Sequence, residues 1–154
     1  MAKTVVKVEG LRELNRALAE LPKSTGKAVL RRTLKNAAQP VADDAERMAP
    51  RDEGTLAASI GVSTKLTRRQ RTQHRKMFKN DRASVEMFLG AGGLTQAWAQ
   101  EFGTETNPPQ PYLRPAWDAG KMGVLNAIKE NLGSEIDKAA KRLARKAARL
   151  SAKG

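Results

Sequence analysis

The sequence predicts an α+β domain: a small antiparallel sheet of about three to four strands packed against two or three helices, with a long C-terminal helix and a long basic loop between two strands. Three observations carry that prediction. Apolar residues recur at three- and four-residue steps through two long stretches, they alternate over short ones, and a proline-rich segment separates the last strand from the last helix. With 154 residues, 40% of them hydrophobic, the chain has the length of one domain and is large enough to bury a core by itself.

Taken in order, Thr4 to Val8 (TVVKV) reads as an edge strand closed by Gly10. Leu11, Leu14, Leu18 and Leu21 follow at helical spacing until Pro22 stops the helix. A second helix from about Ser24 carries Leu30, Leu34, Ala37, Val41, Ala45 and Met48 as its apolar stripe and ends at Ala49-Pro50. Pro40 lies inside it; the stripe stays in phase across the proline, which predicts a kink and not a break. Arg51 to Gly54 is a turn, and Thr55 to Leu66 supplies either a short helical lead-in or a strand centred on Ile60-Gly61-Val62-Ser63. Ala83 to Leu89 alternates, with Val85, Met87 and Leu89 on one side, and reads as the antiparallel partner. Between them, Lys65 to Arg82 is polar and without apolar period, which predicts a long exposed loop.

The last helix has its stripe at Leu125, Ile128, Leu132, Ile136, Ala140, Leu143, Ala147 and Leu150, in unbroken phase across Gly133. From Pro115 to Leu150 it would measure about 54 Å at 1.5 Å per residue, more than a domain of this size covers. Its last turns must project or pack on another subunit. This divides the chain into a body, residues 1–133, and a basic helical extension, residues 134–154.

The net charge of +13 is unevenly placed. Residues 1–64 carry +3, residues 65–82 carry +7, residues 83–133 carry −2 and residues 134–154 carry +5. A near-neutral body thus bears two basic appendages. In the first, Arg68, Arg69, Arg71, Arg75, Lys76 and Lys79 crowd into one short stretch, and so many like charges repel one another unless something negative compensates. Duplex DNA fits that requirement, since phosphate contacts by arginine and lysine need no base reading. The few aromatics, 4% of the chain, disfavour a single-strand stacking platform, and no helix-turn-helix or zinc spacing suggests sequence-specific recognition.

Enzymatic readings find little support. The single histidine, His74, lies in the basic stretch with no obvious carboxylate to orient it. Gly90-Ala91-Gly92-Gly93 follows a strand but lacks the lysine and hydroxyl of a P-loop and the spaced third glycine of a dinucleotide fingerprint, so it reads as a turn. Asp43, Asp44 and Glu46 share a helix, yet 43 and 44 point apart, which favours a solvated face or intersubunit ion pairs over a cation site. The absence of cysteine excludes disulfides and thiolate metal sites. No cofactor motif, signal peptide or apolar stretch long enough for a bilayer is visible. The chain reads as neither an enzyme nor a membrane protein.

The densest local signal is Trp98 to Trp117, WAQEFGTETNPPQPYLRPAW, which holds both tryptophans, the single tyrosine and four of the seven prolines. Glu101-Phe102-Gly103-Thr104 reads as an apolar anchor and a glycine suited to positive φ, forming a tight turn. Tyr112, Leu113, Arg114 and Pro115 then re-enter helix, the proline sitting in the first turn where its missing N–H costs nothing, and should lock the long helix to the sheet.

The order Ala49-Pro50, Gly54-Thr55-Leu56, Ser59-Ile60, a strand ending at Gly90, Trp98-Ala99, Glu101-Phe102-Gly103-Thr104 and Pro111-Tyr112-Leu113-Arg114-Pro115-Ala116 resembles the minor tail or neck component family of long-tailed bacteriophages. The resemblance spans roughly residues 8 to 120; Pro40 within a long helix and the very basic stretch 65–82 depart from it. It implies a structural virion protein made in the bacterial host cytoplasm and placed where head joins tail. There it would form a homo-oligomeric ring on docking, complete or terminate the tail, and contact the head connector or stopper and the tail-tube or tail-terminator proteins, its basic loop facing passing DNA. Pro50, Gly54, Leu56, Glu101, Phe102, Gly103, Thr104, Tyr112, Leu113, Arg114 and Pro115 would be its scaffold. A second reading, from charge alone, is a small sequence-independent nucleic-acid-binding protein.

Overall fold

The computed structural model describes residues 10–79 and 85–154. Six helices and two short strands follow in the order α1 (Leu11–Glu20), α2 (Lys23–Met48), α3 (Thr55–Ser59), β1 (Gly61–Ser63), α4 (Arg68–Met77), β2 (Phe88–Gly90), α5 (Thr95–Phe102) and α6 (Leu113–Ser151). The frame is the antiparallel pair α2 and α6. Val41 of α2 lies beside Gly120 near the start of α6, and Val29 near the start of α2 packs with Leu132 and Ile136 far along α6.

Small residues set how closely these helices approach. The buried face of α2 is Gly26, Val29, Thr33, Ala37, Ala38, Val41, Ala42 and Ala45, so the centre of burial lies one position before the leucines expected to lead it. Leu30 and Leu34 are only half-buried and Met48 is exposed. The physical reason is contact distance: a Cβ on Gly120 would stand 2.5 Å from Val41 Cγ2, closer than larger side chains at the seam would permit. α2 continues through Pro40 without interruption. Both Pro40 and Asn36, whose carbonyl the proline leaves without its helical donor, are exposed to solvent.

Three apolar clusters occupy this frame. Val41, Ala45, Ala49, Leu56, Ala57, Tyr112 and Ala116 fill one end. Val29, Leu132, Ile136 and Ala139 fill the other, covered by Leu14, Ala17, Leu18 and Leu21 from α1 and the turn after it. Ala38, Ala42 and Val62 join the sheet to α2 between them.

The sheet is smaller than the sequence predicts. Among the described residues it has two antiparallel strands, pairing Gly61 with Gly90, Val62 with Leu89 and Ser63 with Phe88. The expected strand at Thr4–Val8 lies outside the described residues, as do Ala83 and Ser84 of the expected Ala83–Leu89 strand. Residues 85–87 precede the ladder without joining it. Both readings of Thr55–Leu66 hold in part, since α3 leads directly into β1.

The expected long basic loop is instead largely α4. Thr67 accepts a hydrogen bond from the Gln70 N–H, and Gln70 Oε1 accepts one from the Thr67 N–H, a reciprocal capping box. Arginine, glutamine and lysine are good helix formers, and with neither glycine nor proline from 67 to 79 nothing interrupts them. The stretch lacks an apolar period because none of α4 is buried.

α6 runs 39 residues, about 58 Å at 1.5 Å per residue, straight through Gly133. Past Ala139 none of its residues is buried, so its last three turns project beyond the body. Among the described residues no helix is long and apolar enough to cross a membrane.

Candidate assembly surface

The first turn of α6 is held by one buried carboxylate. Glu101, at the end of α5 and 3% exposed, accepts the N–H of Tyr112 and of Leu113 on Oε2 at 2.8 and 2.9 Å, and that of Arg114 on Oε1 at 2.9 Å. A helix leaves its first four N–H groups without internal partners. Here three are bound to Glu101, and the fourth position is Pro115, which has none. Arg114 adds its Nε to Glu101 Oε1 at 2.9 Å and its Nη2 to the Glu101 carbonyl at 2.6 Å, and its guanidinium lies over the Phe102 ring at 4.6 Å. Burial disfavours the charged carboxylate, but the three backbone donors and Arg114 outweigh it and hold Glu101 below the usual carboxylate range.

Tyr112 fastens the same turn from below. It is fully buried, packs with Val41, Ala45, Leu56 and Ala116, and donates its hydroxyl to the Ala97 carbonyl at 3.1 Å. Burial, with the Glu101 charge beside it, pushes its phenol up to about 12. The helix is therefore fastened to α5 and to the α2–α3 core, and Leu89 of the sheet packs against the same cluster.

Gly103 terminates α5 with φ 78°. A Cβ there would meet the Pro109 nitrogen at 2.9 Å. Thr104 closes the following turn, donating its N–H to the Asn107 carbonyl at 2.9 Å and accepting the Asn107 N–H on Oγ1 at 3.1 Å. Glu101 and Phe102 themselves belong to the last turn of α5, so the tight turn begins at Gly103. Of the other motif residues, Leu56 is buried against Tyr112's cluster, Pro50 is half-buried, and Gly54 supplies the left-handed residue, φ 71°, that opens α3.

Around this rigid knot the large aromatics face outward. Trp98 is 66%, Phe102 52%, Trp117 45% and Met122 54% exposed, with Trp98 and Phe102 ring to ring at 5.4 Å. Beside Trp117 an apolar groove of about 650 Å³ opens between α6 and the α4–β2 side, walled by Leu66, Met87, Phe88 and Leu113.

The basic residues form a separate surface. Arg68, Arg69, Arg71, Arg75 and Lys76 of α4 and the following Lys79 are all exposed. His74 is the inward residue of this helix: its ring meets Phe78 and, edge-on at 5.2 Å, Phe88 of β2. Contrary to the sequence reading, a carboxylate does stand by it, Glu86 Oε1 at 3.4 Å from Nε2. Asp44 is paired with Arg47 and Asp43 accepts from Gln39; among the described residues no group of three acidic or histidine side chains is arranged to hold a metal ion.

The sequence named Glu101 among the residues of the knot, but as part of a tight turn and not as the carboxylate that binds the α6 first turn 11 to 13 residues away. A lone acid in the apolar run WAQEFG, followed by an arginine in a proline-started helix, was the available signal. No curated protein matches the chain, and no solved structure does. The family model described as "HK97-gp10_like: Bacteriophage HK97-gp10, putative tail-component" matches residues 12–103, more than half of the chain. That match covers α1 to Gly103, leaving Tyr112–Pro115 beyond it. The chain belongs to the HK97-gp10-like family of bacteriophage tail components.

Proposed function

We propose that this tail component is a ring-forming structural subunit at the head–tail junction, completing the tail or neck and joining it to the head connector, with basic α4 facing the DNA path. One observation carries the reading: residue size is inverted between inside and outside. The buried core is largely alanine, valine and a single tyrosine, while both tryptophans, Phe102 and Met122 lie at the surface. Trp98 and Phe102 stand ring to ring at 5.4 Å on this surface; exposed apolar patches mark protein contact, and tryptophan is enriched where interfaces concentrate their energy. A structural role agrees with family membership.

Head connector and tail-tube proteins are the natural neighbours of such a subunit. The basic face of α4 supports sequence-independent attraction to duplex phosphate, which is also what the nucleic-acid-binding alternative would use. The aromatic surface favours the assembly role, because phosphate attraction gives it nothing to do.

Gold-labelled antibody against this chain, applied to purified particles, tests the placement. Label confined to the junction between head and tail agrees with it. Label along the tube, at the tail tip or absent from particles contradicts it.

A further inference from the structure

The antiparallel α2–α6 frame gives the molecule two chemically opposite ends. At one, α6 projects past Ala139 with Leu143 half-buried and Leu150 64% exposed on its apolar stripe. Lys141, Arg142, Arg145, Lys146 and Arg149 surround that stripe; all are exposed, and none has a salt-bridge partner among the described residues. At the other end, where Ala45 and Ala49 meet Tyr112 and Ala116, α2 finishes in Met48, 49% exposed. Asp43 and Glu46 on another face of α2, and Asp52 and Glu53 in the turn beyond it, are also exposed and without salt bridges among the described residues. Arg47 there is tied to Asp44, and with Arg51 included residues 43–53 remain net acidic.

These ends cannot meet within one chain, because the rigid helix pair holds them apart by the length of α2, 26 residues, about 39 Å at 1.5 Å per residue. We propose that the projecting end of α6 in one copy seats on the acidic end of α2 in the next, with Arg142, Arg145 and Arg149, which share one face of α6, against Asp43, Glu46 and Glu53. Like ends repel, so each contact joins unlike ends, and made once between neighbouring copies it is head-to-tail. Head-to-tail contacts generate a ring when the rotation closes. The inference rests on the ring reading above and names one surface that contributes to it.

Two charge-reversed chains test it. One carries Arg142→Glu, Arg145→Glu and Arg149→Glu; the other carries Asp43→Lys, Glu46→Lys and Glu53→Lys. Sedimentation of nuclease-treated protein at low salt should show wild-type self-association, and each variant alone should associate at least about tenfold more weakly, since like charges are then opposed. An equal mixture should recover association, because each reversed end meets its opposite, and that recovery excludes misfolding as the cause of the loss. Either variant associating like wild type, or a mixture that stays dissociated while wild type associates, overturns this contact and leaves the ring reading standing. Wild type that remains monomeric at every concentration overturns both.

Discussion

Glu101 and Arg114 bind each other twice: guanidinium Nε to carboxylate at 2.9 Å and Nη2 to the Glu101 main-chain carbonyl at 2.6 Å. The same carboxylate receives three backbone N–H groups of the α6 first turn. One side chain therefore fixes where the longest helix of the protein begins, and with it the direction of the 39-residue rod.

Replacing that carboxylate by its amide keeps the shape but places an NH2 group where backbone donors point. Glu101→Gln should lower unfolding free energy by roughly 2–3 kcal/mol, the scale of a charge-assisted bond lost with its donors left buried. Urea denaturation measures this. A midpoint equal to wild type would show that Glu101 does not anchor α6.

Acid should act through the same group. Because the native carboxyl ionises below its ordinary value of 4.5, its contribution is complete above that value and is lost as pH falls through the lower native one. Wild-type stability should decline on that side, and the decline should be shallower in Glu101→Gln. Parallel profiles for the two proteins from pH 6 to pH 3 would contradict the assignment.

Gly103 combines φ 78° with no room for a side chain. Gly103→Val adds a β-branched residue to a left-handed position and a Cβ within 2.9 Å of the Pro109 backbone. The backbone strain alone is of order 1–3 kcal/mol, so the variant should melt earlier and fail to attach to tails. Normal melting and normal tail attachment would remove the turn from the account.

Neutralising Arg68, Arg69, Arg71, Arg75 and Lys76 together, as glutamine, should leave the fold intact. None is buried, and glutamine supports helix as well as arginine does. Binding to duplex DNA should weaken uniformly across sequences, with the salt dependence shallower by about 0.9 for each phosphate contact removed. Unchanged DNA association at low salt would take α4 out of the DNA path.

Much of this was legible in the sequence for identifiable reasons. The stripe from Leu125 to Leu150 gave the continuous helix across Gly133, since a three- and four-residue rhythm has few other meanings. Pro111 to Pro115 gave its start. On α2 the expected Ala37, Val41 and Ala45 are buried, while Leu30 and Leu34 sit one position past the buried Val29 and Thr33, because leucines are conspicuous and helix contact distance selects small residues. α4 reads as a loop because the stretch has no apolar period, although Thr67-Arg68-Arg69-Gln70 already spells a capping box. The central part of Glu101 was hidden for another reason: its partners are local in space and distant along the chain.

The most direct measurement is the solution mass of nuclease-treated protein by light scattering, wild type beside a Trp98→Ala, Trp117→Ala double variant, with electron microscopy of the same samples. A ring-forming subunit predicts discrete multiples of 16.8 kDa and annular particles for wild type, reduced in the variant whose exposed aromatics are gone. A wild-type monomer that gains mass only when DNA is added would contradict the ring account and favour the nucleic-acid-binding alternative.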